Sequence, residues 1–169
     1  MFKKHFKDNN NNSNSSVNTV SSVNGRLFTN LSINGVSTKG LVDSGASISI
    51  LWDSLAKELK LNWVPCSAKV KTACGSLVTV LGKVDTIVSL GRSSNLCTFL
   101  IVKEKILNDN CIFGLSVLSK VGINIGICEN KVYCPETGDS HPMEVKECSA
   151  TNTLVCSLNQ STLDKIEDE

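Results

Sequence analysis

An acid set between two apolar, alternating runs limits what this chain can become. In Gly40-Leu41-Val42-Asp43-Ser44-Gly45-Ala46-Ser47, two apolar residues lead into an acid, a small hydroxyl residue and a glycine. Ser47-Ile48-Ser49-Ile50-Leu51 follows, β-branched and alternating. Both flanks read as strands, so Asp43 sits on a tight loop between them. Gly45 lets backbone or a ligand come close. An apolar approach holds such a loop still, which is how a rigid scaffold presents a catalytic carboxylate.

The neighbouring sequence extends this strand pattern. Leu27 to Ile33 alternates, Asn34-Gly35 is a two-residue hairpin signal, and Val36 to Val42 is the return strand. Trp52 to Leu61 changes period: Leu55, Leu59 and Leu61, with Ala56 between, suit a short helix capped by Asp53 or Ser54. Val70 to Val80 reads as a hairpin with its tip near Cys74-Gly75. Gly82–Leu90 and Leu96–Val102 read as two more strands joined by Gly91 to Asn95. Cys111-Ile112-Phe113-Gly114 is an apolar block, Leu115, Leu118 and Val121 follow at helical spacing, and Gly122–Ile125 and Lys131–Tyr133 suit closing strands. The expected fold class is all-β, a closed antiparallel barrel with one or two short helices.

Three segments are expected: 1–24, 25–134 and 135–169. The first is Asn/Ser-rich and reads as a disordered linker, with Lys3, Lys4, His5 and Lys7 as a solvated basic start. The last is polar with an acidic end and reads as a tail or linker. In between, the 41% hydrophobic content suits a single core, and there is no apolar run of membrane-spanning length. Seventeen basic residues against sixteen acidic ones leave a formal charge of +1, so neither nucleic acid nor a membrane surface is expected as a partner. The basic N-terminus has no apolar core behind it and does not read as a secretory signal. A cytoplasmic location is expected, with the eight cysteines as reduced, buried thiols. On the same ground the sequon Asn30-Leu31-Ser32 is discounted.

Asp43-Ser44-Gly45-Ala46 resembles the active-site signature of aspartic peptidases. Two further blocks resemble the retropepsin-like branch, and in look the proteases of long-terminal-repeat (Gypsy-like) retrotransposons. Thr72-Ala73-Cys74-Gly75-Ser76 with Val80 to Val84 is similar to the flap hairpin and the strand behind it. Ile112-Phe113-Gly114-Leu115-Ser116-Val117-Leu118 is similar to the apolar-apolar-Gly element, followed by a helix, that braces the active-site loops from beneath. The resemblance spans about Arg26 to Tyr133. It implies a barrel of the retropepsin type, active as a homodimer. Asp43, Ser44 and Gly45 are the implied catalytic residues, Ala73, Cys74 and Gly75 the substrate-binding flap, and Ile112, Phe113 and Gly114 the structural support. Cys74 departs from the polar residue commoner at a flap tip.

Peptide hydrolysis without a covalent intermediate needs one group to deprotonate a water and another to protonate the amide. Two carboxyls sharing one proton meet both needs. Only one Asp-Ser/Thr-Gly occurs here; Asp53-Ser54-Leu55 and Asp139-Ser140-His141 lack the glycine. The second acid is therefore expected from a second copy across a two-fold axis. The resulting expectation is an aspartic endopeptidase acting on polypeptide, in the resemblance's terms on a retrotransposon polyprotein. The alternative is a catalytically inactive dimerisation or peptide-binding module of the same fold. The mechanism calls for no cofactor and no metal. Cys128, Cys134, His141 and Cys148 are zinc-type ligands, but at irregular spacing. The histidines His5 and His141 both fall in expected tails, which disfavours a cysteine nucleophile.

Overall fold

The structure is a computed structural model, and it describes residues 25–147. The expected N-terminal linker and the last part of the expected C-terminal tail, with Cys148, lie outside the described residues.

The chain opens with β1 (Gly25–Ile33) and β2 (Val36–Val42), paired from Ile33↔Val36 outward. Asn34 and Gly35 both take positive φ, 50° and 81°. A two-residue turn of this hand matches the twist of the strands it joins. After the Asp43 loop come β3 (Ser49–Trp52) and the helix α1 (Asp53–Glu58). Neither expected residue caps α1 through its side chain: Trp52 holds the cap position, and the Asp53 carboxylate instead accepts the Glu104 amide at 2.9 Å and pairs with Lys57. The short strands β4 (Val64–Pro65) and β5 (Lys69–Lys71) then pair with β6 (Leu77–Leu90).

Along its fourteen residues β6 alternates between exposed and buried side chains, as a strand with one face on the core must. It turns into β7 (Ser93–Val102) through Gly91-Arg92 alone, a tighter connection than the five-residue loop expected from sequence. The polar start of β7 stays in the ladder because α2 (Leu115–Val121) satisfies it: Ser93 Oγ donates to the Val121 carbonyl at 2.6 Å and Asn95 Nδ2 to that of Lys120 at 2.8 Å.

The main sheet is mostly antiparallel, but two of its pairings are parallel, which corrects the wholly antiparallel expectation. The strand β8 (Cys111–Phe113) lies between β2 and β3, parallel to the first and antiparallel to the second, and β3 runs parallel to β7. The cause is local. The strands flanking Asp43 do not pair with each other, because β8 occupies the space between them. The order β1-β2-β8-β3-β7-β6 returns to its start through the pairs Ser32↔Ser89 and Ile33↔Val88. Leu31, Ile33, Leu51, Val88, Phe99, Ile101, Phe113, Val117 and Val121 fill the interior, each at most 2% exposed.

Beyond α2, β9 (Asn124–Gly126), β10 (Lys131–Tyr133) and β11 (Ser140–Pro142) form a small second sheet, and β12 (Glu144–Glu147) pairs with β1. Strand pairing thus continues past the expected boundary at 134, as far as Glu147. Met143 is buried between the two strands and Thr29 Oγ1 donates to the Pro142 carbonyl at 3.0 Å. Asp139 accepts the Arg92 amide at 2.7 Å and its Nε at 3.2 Å, which holds its carboxyl down at about 2. Of the cysteines, Cys97, Cys111 and Cys134 are buried as expected, whereas Cys74 and Cys128 are exposed. Among the described residues no helix is long and apolar enough to cross a membrane.

A chain ending at Glu147 is expected to keep the stability of the full chain. One ending at Cys134 loses β11, β12 and the buried Met143, and its unfolding free energy in urea should fall by at least about 2 kcal/mol. Equal midpoints and slopes for the two would contradict the placement of these strands.

Candidate active site

Asp43 is the first residue past β2, and its position is set from both sides. Its amide donates to the Phe113 carbonyl at 3.1 Å, which continues the β2–β8 ladder into the loop. Its carboxylate Oδ1 accepts the amides of Gly45 at 2.9 Å and Ala46 at 3.2 Å. Such a turn, closed on the acid's own side chain, fixes the carboxyl group without help from other side chains. Oδ2 has no hydrogen-bond partner among the described residues. Asp43 is half-buried, and Ser44 and Gly45 are exposed. A β-carbon at Gly45 would lie 3.2 Å from Oδ1, tighter than side chains normally pack, so a glycine suits this turn.

Gly114 supports the loop from beneath. A β-carbon there would fall 2.2 Å from the Ile48 carbonyl oxygen and 2.7 Å from that of Ala46. Only a bare α-carbon lets the β8–α2 junction lie this close to the loop. The closeness is used at once: the Leu115 amide donates to the Ala46 carbonyl at 2.8 Å. Phe113 is wholly buried, and Ile112 is in register with both Leu41 and Ile50. The structure therefore brings Ile112, Phe113 and Gly114 together with Asp43, Ser44 and Gly45.

Two serines beyond the expected site residues join this arrangement. Ser49 is fully buried; its Oγ accepts the Gly114 amide at 2.9 Å and lies 2.9 Å from Ser116 Oγ. The available signal was Ser49's place as a hydroxyl residue in an otherwise apolar strand. Buried hydroxyls are generally hydrogen-bonded, so such a residue implies a partner.

Ala73, Cys74 and Gly75 lie elsewhere, exposed at the tip of the β5–β6 hairpin. The turn is closed by Thr72 N to Ser76 O and Gly75 N to Thr72 O, both at 2.9 Å, with Gly75 at φ 84°. At its root, Val78 clusters with Ile50 and Val102, against which Ile112 packs. This small apolar group connects the hairpin to the strands beside Asp43. The Cys74 thiol is held down at about 7, first by the Thr72 hydroxyl at 3.1 Å and then by Ser76.

A cleft of about 510 Å³ lies between β2, α1 and residues 108–110, and Asp43 is not among its lining residues. No cluster of three or more His, Cys, Asp or Glu suited to a metal occurs among the described residues.

Gly114→Ala should destabilise the fold by at least about 2 kcal/mol, as overpacking against backbone does; a chemical-denaturation midpoint equal to wild type would contradict the contact. For Cys74, alkylation by iodoacetamide followed by mass spectrometry should show a pH midpoint near 7. In Thr72→Val the midpoint should move up towards that of an ordinary thiol. A wild-type midpoint already in the ordinary range would contradict the hydrogen-bonded turn.

Comparison with known proteins agrees with this geometry. The family described as gag-polyprotein putative aspartyl protease matches residues 29–120. Among solved structures, the chain is similar to the retroviral protease-like domain of Ddi1 from Leishmania major, at 21% identity over 70% of this chain and 90% of that one, with a TM-score of 0.52. It is also similar to EIAV protease complexed with the inhibitor HBY-793, at 18% identity over 60% of this chain and 93% of the other, with a TM-score of 0.51. No curated protein gives a significant sequence match. The solved structures establish a retroviral-protease-like fold. With the family match covering more than half of its length, the chain belongs to the gag-polyprotein aspartyl protease family.

Proposed function

We propose that this protein is an aspartic endopeptidase whose active unit is a homodimer, each chain contributing Asp43. The observation that carries the reading is the braced carboxylate: Oδ1 is tied to two amides of its own loop, Oδ2 has no partner among the described residues, and the half-buried acid adjoins the exposed Ser44 and Gly45. A single such group cannot act as acid and base in one turnover. Two of them, brought together across a two-fold axis, can.

In this mechanism the pair carries one proton between two carboxyls. The ionised member takes a proton from water, whose oxygen bonds to the scissile carbonyl carbon. The protonated member supports the developing oxyanion, and a proton then passes to the amide nitrogen as the C–N bond breaks. Oδ1 is occupied by the loop, so Oδ2 is the oxygen that faces water and the partner's acid. The exposed Ser44 hydroxyl bonds across the interface and holds the two loops together. The β5–β6 hairpin, with Ala73, Cys74 and Gly75 at its tip, closes over an extended polypeptide and excludes water. The retrotransposon-type look of the motifs supports a polyprotein as the natural substrate.

Asp43→Asn tests the reading. Its unfolding midpoint should stay near wild type, because an amide oxygen at Oδ1 still accepts the Gly45 and Ala46 amides. Its cleavage of a peptide library should fall at least about 10³-fold, since the amide cannot take up the water's proton. Wild-type activity should pass through a maximum with pH and be blocked by a pepstatin-like transition-state mimic. Undiminished cleavage by Asp43→Asn would refute the mechanism; a folded, dimeric wild type without cleavage would favour the inactive-module alternative.

A further inference from the structure

The acid-bearing loop is held by backbone at two points, Asp43 N to Phe113 O and Leu115 N to Ala46 O, and both lie on residues adjoining Gly114. Gly114 itself has no side chain with which to hold its place. Its amide is buried, and the acceptor of that amide is Ser49 Oγ. The Ser49 hydroxyl is in turn 2.9 Å from Ser116 Oγ, in the first turn of α2, and 3.5 Å from the Gly114 carbonyl. Ser49 stands at the far end of the loop from Asp43, as the first residue of β3. One buried hydroxyl thus ties the loop's exit to the junction that clamps the loop's entry.

We infer that Ser49 is a positioning residue for Asp43, acting through the Gly114 amide. Without its oxygen, the buried amide of Gly114 lacks an acceptor, and the junction can relieve that only by shifting. A shift at Gly114 moves the Phe113 carbonyl and the Leu115 amide together, and both ends of the loop move with them. The carboxylate then departs from the geometry that a reaction between two chains needs, although Ser49 touches neither substrate nor water. Ser116 orients the Ser49 hydroxyl, leaving a lone pair for Gly114. The kinetic side of this inference rests on the peptidase reading; the structural side does not.

The test uses the full chain and two measurements. In Ser49→Ala, amide hydrogen exchange at Asp43, Ala46 and Leu115 should quicken by about tenfold beyond any change in the core strand β6. Peptide cleavage should lose on the order of 10- to 100-fold in kcat, with KM nearly unchanged. Ser49→Thr, which keeps the hydroxyl, should recover both. In Ser116→Ala, which leaves the Gly114 amide its acceptor, the same amides should quicken by a smaller factor, and this variant serves if Ser49→Ala does not fold. Exchange that rises equally across the fold, or not at all in a folded variant, overturns the assignment, as does an unchanged kcat beside a loosened loop. A wild-type chain that cleaves nothing would instead defeat the peptidase reading, and the exchange data alone would then decide the role of Ser49.

Discussion

The contact between the α-carbon of Gly114 and the carbonyls of Ala46 and Ile48 is the constraint on which the site depends. It requires β8 to lie between β2 and β3, so that the strands on either side of Asp43 are neighbours of β8 and not of each other. That placement makes one pairing parallel and the other antiparallel, and it sets the junction at Gly114 directly beneath the loop. The buried Phe113 side chain anchors β8 in the core, and α2 starts where the contact ends. A half-buried acid is thereby fixed by backbone hydrogen bonding to a buried strand, a stiffer mounting than flexible side chains would give.

What the sequence revealed follows from which signals are local. Asn34-Gly35 declares its turn because two consecutive positive φ values suit few other residue pairs. Asp43-Ser44-Gly45 and Phe113-Gly114 each stand out where an apolar run meets a glycine, and the structure brings both together. The parallel pairings were not legible, because they depend on which distant strand enters the gap, and strand periodicity is blind to direction. Residues Ser140–Glu147 read as tail because their stability comes from β1, Met143 and the Arg92–Asp139 contact, none of which makes an apolar pattern. Ser93 to Asn95 read as loop for a similar reason: the Ser93 and Asn95 side chains are satisfied by helix carbonyls across the fold. Ser49 is the instructive case, since the hydroxyl that looks out of place among Ile48, Ile50 and Leu51 is the one that Gly114 needs.

The family match and the fold explain how such a site is built; the proposed acid–base chemistry is what calls for a second copy. The loop amides and the β8–α2 junction hold the Asp43 carboxyl in place, and among the described residues no second acid of the same kind is brought to it. In the proposed mechanism residues 25–147 supply half of an acid–base pair, and symmetry is the economical source of the other half.

Specific activity as a function of chain concentration, followed alongside sedimentation on the same samples, tests this most directly. The account predicts that activity per chain falls in proportion to the dimer fraction and vanishes in the monomer, as mass action requires. Activity per chain that stays constant into a demonstrably monomeric range would contradict it.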